Sequence, residues 1–204
     1  MKVGTDAVLL GAWAKGGNRI LDIGTGTGIL SLMMAQRFGN SSVVAIDLDA
    51  EAVGQARENV AQSPFAHRIS VLQQAVQQHV GQYDAIVCNP PYFADSLKTP
   101  DAQRTMARHA VTLTFAELMQ AVCRLLDVEG EMSVVIPFDY RKRLVDEAIF
   151  AGLFLCSECA IHTRSGAPAR RYLLSFRKHL CGCDSMEITL GDDEYERLTR
   201  DFYL

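Results

Sequence analysis

The segment Asn89-Pro90-Pro91-Tyr92 combines residue types that can hold a planar amine for reaction. Two prolines stiffen the chain at a corner, and a proline carbonyl still accepts a hydrogen bond. The Asn89 side-chain oxygen and the Pro90 carbonyl offer two acceptors for the two N–H bonds of an exocyclic amino group. Tyr92 offers a flat face for a planar substrate, and Phe93 a further wall. The four residues from Asn89 to Tyr92 are therefore the predicted catalytic centre, which would act by positioning and electrostatics without a strong base.

A glycine-rich loop precedes this segment in Leu21-Asp22-Ile23-Gly24-Thr25-Gly26-Thr27-Gly28. Glycines let a backbone turn sharply and approach a ligand closely. The spacing Gly-x-Gly-x-Gly differs from the dinucleotide fingerprint, and the Asp22 carboxylate would repel a pyrophosphate but suits the ammonium of a methionine moiety. We therefore predict that the loop, through Asp22, Gly24, Thr25, Gly26 and Gly28, binds S-adenosylmethionine.

Further donor contacts are predicted at the ends of the next strands. Asp47 lies at the distance from the loop at which an acid binds ribose hydroxyls, and Asp49 is an alternative or the N-cap of a helix. Leu48 is expected to pack on the adenine face and Gln74 to bind the adenine amine. Asn89 is expected to contact the donor as well as the substrate. The alternative is that these residues are ordinary strand ends and turns, and that Asn89-Pro90-Pro91-Tyr92 packs an aromatic ring into the core.

Alternating apolar strands and amphipathic helices surround these motifs. The predicted strands are Arg19–Ile23, Ser42–Ile46, Ile69–Leu72, Tyr83–Cys88 and Met132–Ile136. The predicted helices are Ile29–Phe38, Glu51–Val60, one from the capping box Thr114-x-x-Glu117 to about Leu126, and Arg141–Ala151. Two β-rich runs, Leu153–His162 and Arg171–Arg177, flank the turn Ser165-Gly166-Ala167-Pro168 and predict an antiparallel hairpin. The pattern predicts an α/β, doubly wound, mostly parallel sheet of the class I methyltransferase (Rossmann-like) type with a C-terminal antiparallel hairpin, in a single domain over 1–204.

Composition limits the location and the partners. Hydrophobic residues make up 49% of the 204 residues and charged residues 22%, as in an ordinary globular domain. No stretch is apolar enough to span a bilayer, and the first ten residues lack the pattern of a signal peptide, so we expect a cytoplasmic protein. The net charge of −4 argues against a protein that wraps duplex nucleic acid, but it is compatible with a local basic patch.

The cysteines offer a second possible site. Cys156-x-x-Cys159 and Cys181-x-Cys183 resemble a four-thiolate zinc pattern, but the second pair is one residue too close. Because Cys156 also follows an apolar run, we favour reduced thiols that pack as small hydrophobic groups and predict no metal.

Several segments carry a family resemblance. Asn-Pro-Pro-Tyr with the glycine loop resembles the amino methyltransferases that act on adenine N6, cytosine N4 and glutamine amide nitrogen. More narrowly, the chain resembles the bacterial methyltransferases that modify the N6 of adenine 37 in valine tRNA. The segments that carry the narrower resemblance are residues 1–14, Asn89-Pro-Pro-Tyr-Phe93, Ser165-Gly-Ala-Pro-Ala-Arg-Arg-Tyr-Leu-Leu174 and Leu198-Thr-Arg-Asp-Phe-Tyr-Leu204.

The resemblance implies a methyl transfer to an adenine of the tRNA anticodon loop. The sequence leaves the oligomeric state open, and we favour a monomer. It implies that residues 2–6 flank the methionine end of the donor, with Thr5 as a contact. Family members carry residues before this segment, so we expect part of a substrate or donor lid to be missing from this chain. Gln74 also stands where relatives often carry an acid.

RNA requires cations near the reaction centre. The candidate substrate contacts are Phe93, Arg104, Arg108, Arg164, Arg170 and Arg171, with Arg141, Lys142 and Arg143 as a further group. The polar stretch from Phe93 to Val111 is a candidate substrate loop. Two alternatives remain open, a protein glutamine N5-methyltransferase acting on a release factor and a non-catalytic RNA- or protein-binding module. The first predicts an extra N-terminal helical domain, and the second predicts loss of Asp47 or Asn89.

Overall fold

The computed structural model describes residues 4–90 and 113–202, and all structural statements concern these two segments. Within them the strands form one sheet in the order β3-β2-β1-β4-β5-β7-β6-β8. No helix in the described segments has the length and apolar character needed to cross a membrane.

The first five strands are parallel and form the half of the sheet that carries the predicted motifs. They are β1 (Arg19–Ile23), β2 (Ser42–Asp47), β3 (Ile69–Gln73), β4 (Tyr83–Cys88) and β5 (Leu126–Pro137). Apart from the edge strand β3, where Leu72 is exposed, most of their apolar residues are buried on both faces, which is typical of parallel strands covered by helices. β5 begins earlier than predicted, and its pairing with β4 includes an irregularity between Tyr83 and Ala85.

Helices cover both faces of this sheet. They are α1 (Thr5–Trp13), α2 (Ile29–Arg37), α3 (Ala50–Ala61), α4 (Phe115–Leu125), α5 (Phe138–Phe150) and α6 (Asp193–Thr199). About half or more of the buried residues of α1 and α2, with Val60 of α3, belong to the core cluster on one face, and those of α4 and α5 to the cluster on the other. The predicted capping box is confirmed, because the Glu117 amide donates to Thr114 Oγ1 at 3.2 Å and Glu117 Oε2 accepts from the Thr114 amide at 2.9 Å.

The C-terminal hairpin is confirmed by β6 (Phe154–His162) and β7 (Arg171–Arg177), which pair antiparallel. β7 also pairs antiparallel with β5 and so joins the hairpin to the parallel half. An eighth strand, β8 (Asp184–Thr189), pairs parallel with β6 and was not predicted. Only Ile188 of this edge strand is buried, so its sequence lacks the alternation of apolar and polar residues that identifies a strand.

The register of the parallel strands aligns the predicted motifs. Ile23 at the end of β1 lies opposite Ile46 of β2 and Cys88 of β4. The next residues are Gly24, Asp47 and Asn89, which therefore follow at the same level on three neighbouring strands. Because open α/β sheets bind ligands at the carboxyl ends of their strands, this row marks the candidate site.

Candidate active site

The glycine loop turns sharply at the end of β1. Gly24 and Gly26 have φ values of 71° and 56°, in the left-handed region that favours glycine. The Gly24 and Thr25 amides both donate to the Ile46 carbonyl, at 2.9 and 3.0 Å, so the start of the loop is fixed to β2. A side chain added at Gly24 or Gly26 would meet nothing within 4 Å, which leaves this side of the loop open to a ligand.

The buried Asp22 side chain holds the glycine loop through hydrogen bonds. Its Oδ2 accepts hydrogen bonds from Thr25 Oγ1 at 2.6 Å and from Ser31 Oγ at 2.7 Å, with the Ser31 amide at 3.2 Å. The side chain is fully buried, and burial raises the pKa of Asp22 to about 6 although the hydrogen bonds from Thr25 and Ser31 oppose the rise. The nearby Asp47 carboxylate raises the pKa further. Ser31 and the bracing role of the Thr25 side chain were not predicted from sequence.

The second oxygen of Asp22 bears on donor binding. Oδ1 is buried and lacks a hydrogen-bond partner within the described segments. A buried carboxylate oxygen without a partner is unfavourable, and a cationic donor group relieves that cost. The residues present therefore fit the ammonium of the S-adenosylmethionine methionine end. The contact itself stays a prediction, as do those of Gly24, Thr25, Gly26 and Gly28.

Asp47 joins the glycine loop to the end of β2. Its Oδ2 accepts from the Gly26 amide at 2.9 Å, and its Oδ1 accepts from the Asp49 amide at 3.0 Å. Each carboxylate oxygen keeps a second lone pair, so the group can still accept hydrogen bonds from ribose hydroxyls. Asp49 is the N-cap of α3, since its Oδ1 accepts from the Glu51 amide at 2.8 Å and the Ala52 amide at 3.3 Å. The alternative role predicted for Asp49 is thus confirmed.

An open groove lies beyond Asp47, at the ends of β2 and β3. It is lined by Leu48, Arg57, Leu72, Gln73, Gln74, Ala75, Gln77 and Gln78. Leu48 is 47% exposed and Leu72 39% exposed, so flat apolar surface is available for an adenine ring. Both features fit the predicted contact of Leu48 with the donor.

Gln74 lines this groove but already has a protein partner. Its Oε1 lies 2.8 Å from His79 Nδ1, and His79 Nε2 lies 2.7 Å from the Tyr83 hydroxyl. The ring of His79 is buried, and burial together with the cation of Arg124 lowers its pKa, so the imidazole is neutral. His79 was not predicted from sequence. The Gln74 Oε1 atom that would accept from the adenine amine is therefore already engaged by His79. This makes Gln74 a poorer candidate for the adenine contact, which stays a prediction.

The predicted reaction centre lies only partly within the described residues. Asn89 is partly buried and Pro90 is buried, directly after the last residue of β4. Cys88 beneath them is buried, and burial raises the pKa of its thiol, so it offers no nucleophile at neutral pH. The predictions for Pro91, Tyr92, Phe93, Arg104 and Arg108, and the proposed substrate loop, lie outside the described residues.

The remaining predicted contacts differ in their surroundings. Arg164 and Arg170 are exposed between β6 and β7, and neither forms an ion pair within residues 4–90 and 113–202. Arg171 instead donates from Nε to Asp6 Oδ2 at 2.8 Å, so its charge is compensated by α1. Thr5 is exposed as the first residue of α1, next to Asp6.

Cys156 and Cys159 of the possible zinc pattern have different surroundings. Cys156 Sγ lies 3.2 Å from Ser175 Oγ, whereas Cys159 is fully buried. Burial raises the pKa of Cys156 to about 11 and that of Cys159 to about 12, which disfavours the thiolate forms that bind metals. The described residues include no group of three or more His, Cys, Asp or Glu side chains placed to hold a metal ion. That no metal is needed stays a prediction.

The sheet order, the glycine loop and the acid at the end of β2 define a class I methyltransferase whose methyl donor is S-adenosylmethionine. The chain belongs to the methyltransferase small domain family, whose family model matches residues 3–147. Both the predicted fold class and the predicted donor are thereby confirmed.

Relatives of high similarity extend over the whole chain. A tRNA1(Val) (adenine(37)-N6)-methyltransferase of Bacteroides thetaiotaomicron is 45% identical over 215 residues, which cover 100% of this chain and 91% of the relative. The protein of the same name from Phocaeicola vulgatus is 48% identical over 214 residues, with the same coverage. The family resemblance inferred from the sequence motifs is therefore confirmed.

A solved structure supports the fold alone. The chain is similar to a predicted O-methyltransferase, protein Atu636 from Agrobacterium tumefaciens, with a TM-score of 0.74 and 19% identity. The similarity covers 96% of each chain.

Proposed function

We propose that this chain transfers a methyl group from S-adenosylmethionine to the N6 amine of an adenine in tRNA, at position 37 of valine tRNA. The observation that carries the proposal is the shared level of Gly24, Asp47 and Asn89 at three adjacent strand ends. Neighbouring strands lie about 4.8 Å apart, so a donor held by the loop and Asp47 has its reactive end beside Asn89. The relatives of 45% and 48% identity are named for this substrate.

One set of residues would bind the donor and another would hold the substrate amine. Bound S-adenosylmethionine supplies a methyl group on a sulfonium centre. Gly24 and Gly26 would leave space for the donor, the partnerless Asp22 Oδ1 would accept from its ammonium, and Asp47 would accept from its ribose hydroxyls. The side-chain oxygen of Asn89 and the carbonyl of Pro90 would each accept a hydrogen bond from one N–H group of the target amine. Those hydrogen bonds would hold the nitrogen and favour a pyramidal geometry, in which its lone pair is free to react. The new N–C bond would form as the S–CH3 bond breaks, S-adenosylhomocysteine would leave, and the alkylated nitrogen would lose one proton to water.

An anticodon-loop adenine suits this site better than a base within a duplex. It is partly unstacked, so its extrusion into a site costs less free energy. A tRNA substrate also agrees with the predicted cytoplasmic location.

A substrate panel tests the proposal. Purified protein is incubated with labelled S-adenosylmethionine and, separately, with valine tRNA lacking the modification, the same tRNA carrying guanine at position 37, a release factor, and duplex DNA. We expect label in the first tRNA only, recovered as N6-methyladenine. Label confined to the release factor would contradict the proposal and support the glutamine alternative. Label in both tRNAs would contradict the assignment to position 37.

A further inference from the structure

An exposed aromatic side chain stands beside the candidate site. Phe138 is the first residue of α5, directly after β5, and 56% of it is exposed. Single exposed apolar residues are common on protein surfaces, but this ring lies at the carboxyl-end edge of the sheet, where open α/β sheets bind ligands. Neither the donor groove nor the amine acceptors described above require this ring.

The sheet register places Phe138 close to Asn89. Cys88 lies opposite Val134, so Asn89 is level with Val135 on the neighbouring strand. Pro137 lies two residues further along β5, roughly 7 Å at ~3.3 Å per residue, and Phe138 follows it. With the spacing of about 4.8 Å between strands, the end of β5 lies roughly 10 Å from Asn89. That separation is about three bases of a stacked strand at ~3.4 Å per nucleotide.

The Phe138 ring packs against Tyr172. Its ring centroid lies 6.2 Å from that of Tyr172 on β7, with the two planes tilted by 35°. Tyr172 packs against the hydrophobic core, and the Arg141 guanidinium lies 5.1 Å from its ring centroid. Arg141 Nε also donates to Glu158 at 3.0 Å. Tyr172 is therefore a packed support for the more exposed Phe138 ring.

The backbone of an exposed arginine lies next to that of Phe138. The Phe138 amide donates to the Arg170 carbonyl at 3.2 Å, which holds the two backbones together. Arg170 and Arg164 are exposed and form no ion pair within the part of the chain that the structure describes. An exposed aromatic ring whose backbone neighbour is an arginine without an ion pair suits single-stranded nucleic acid, whose bases stack and whose phosphates are anionic.

We propose that Phe138 is a stacking surface for an unpaired nucleobase of the RNA substrate, close to the methylated adenine, with Arg170 contacting an adjacent phosphate. This inference rests on the proposed function only in its assumption that the substrate is RNA. Tyr172 acts as a positioning residue for Phe138.

A matched pair of variants tests the stacking role. Phe138 and Phe150 are exposed residues of the same type at opposite ends of α5, and Phe150 is 86% exposed. The affinity of an anticodon stem-loop RNA is measured by fluorescence anisotropy for wild type, Phe138→Ala and Phe150→Ala. We expect Phe138→Ala to weaken binding by about fivefold to a hundredfold, as loss of one stacked base predicts, and Phe150→Ala to match wild type.

Two further variants separate stacking from folding. Phe138→Trp should keep wild-type affinity, whereas Phe138→Leu, which keeps apolar bulk without an aromatic face, should bind weakly. Donor affinity, measured by calorimetry, should be the same in all variants. 2-Aminopurine placed beside the target adenine should be quenched on binding to wild type but not to Phe138→Leu.

The possible outcomes distinguish this inference from the proposed function. Equal RNA affinity of wild type and Phe138→Ala, equal weakening in both alanine variants, or absence of RNA binding by wild type would each overturn the stacking role. The proposed function fails separately, if wild type binds the RNA but transfers no methyl group to it.

Discussion

Arg171 at the start of β7 donates from Nε to Asp6 Oδ2 in the first turn of α1, at 2.8 Å. The pair joins the C-terminal hairpin to the N-terminal helix across the edge of the sheet that carries the candidate site. The side chains are 38% and 26% exposed, so water partly screens the interaction. Arg171 was predicted to contact RNA, but its charge is already compensated within the protein.

A double-mutant cycle measures this link. Asp6→Asn, Arg171→Gln and the double variant are unfolded in urea, and their free energies of unfolding are compared. We expect a coupling of about 0.5–1 kcal/mol, because a partly exposed ion pair contributes little more. Strictly additive effects would show that the two side chains do not stabilise each other in solution.

Adjacent arginines with different surroundings should affect RNA binding differently. Arg170→Ala removes an exposed, unpaired cation, so RNA affinity should fall and its dependence on salt should weaken by about one phosphate contact. Arg171→Ala removes a cation held by Asp6 and should leave the salt dependence nearly unchanged. Both are measured as the slope of log affinity against log salt concentration. A larger change of slope for Arg171→Ala would mean that RNA displaces Asp6.

The pKa of Asp22 predicts a pH-dependent stability. Burial raises it from its ordinary value of 3.8 to about 6 in the folded protein. Between these two values the folded chain binds more protons at Asp22 than the unfolded chain does. The contribution of Asp22 to the free energy of unfolding is therefore greatest below pH 4 and is lost as the pH rises through 6, by roughly 3 kcal/mol.

Comparison with Asp22→Asn isolates this contribution. The variant lacks the titrating group, so the free energy of unfolding of wild type should decline relative to that of the variant between pH 4 and 7. Urea unfolding at several pH values, without donor, gives the difference. A constant offset between the two proteins would show that burial does not raise the pKa. An opposite trend would show that the hydrogen bonds from Thr25 and Ser31 outweigh burial.

Asp47 and Asp49 provide a matched comparison at the end of β2. Asp47→Ala removes the acceptor of the Gly26 amide and the predicted acceptor of the donor ribose, so the dissociation constant of the donor should rise about tenfold or more. Asp49→Ala removes the N-cap of α3 and should lower the free energy of unfolding by about 1 kcal/mol with little change in donor affinity. Calorimetric titration and urea unfolding measure the two effects. Equal donor affinities in the two variants would contradict the role of Asp47.

The sequence predicts most elements of this fold, because parallel strands buried on both faces are continuously apolar and helix starts carry local caps. It does not predict α1, since six consecutive buried residues from Ala7 to Ala12 obscure a helical period. Nor does it predict α6, although Asp192 caps that helix by accepting from the Tyr195 amide at 2.7 Å. The cap was a usable local signal, whereas α1 offered none.

In the candidate site too, the residues in local sequence patterns were predicted and the contacts between distant residues were not. The glycine loop and Asp47 at the end of β2 are local sequence patterns, and both were predicted. The hydrogen bond from Ser31 to Asp22 depends on which way a buried serine points within an apolar helix. The pairing of Arg171 with Asp6 joins residues 165 positions apart. Such contacts arise from tertiary packing, so spacing along the sequence carries no signal for them.

Nucleoside analysis of the tRNA product, combined with donor binding, tests the central claim that Asn89 holds an adenine amine for methylation. Wild type and Asn89→Ala are each incubated with S-adenosylmethionine and unmodified valine tRNA, and the digested tRNA is examined by mass spectrometry. We predict N6-methyladenosine from wild type, none from Asn89→Ala, and donor dissociation constants within about threefold of each other. A variant that loses donor binding and methylation to the same extent, or one that still forms N6-methyladenosine at the wild-type rate, would contradict the claim.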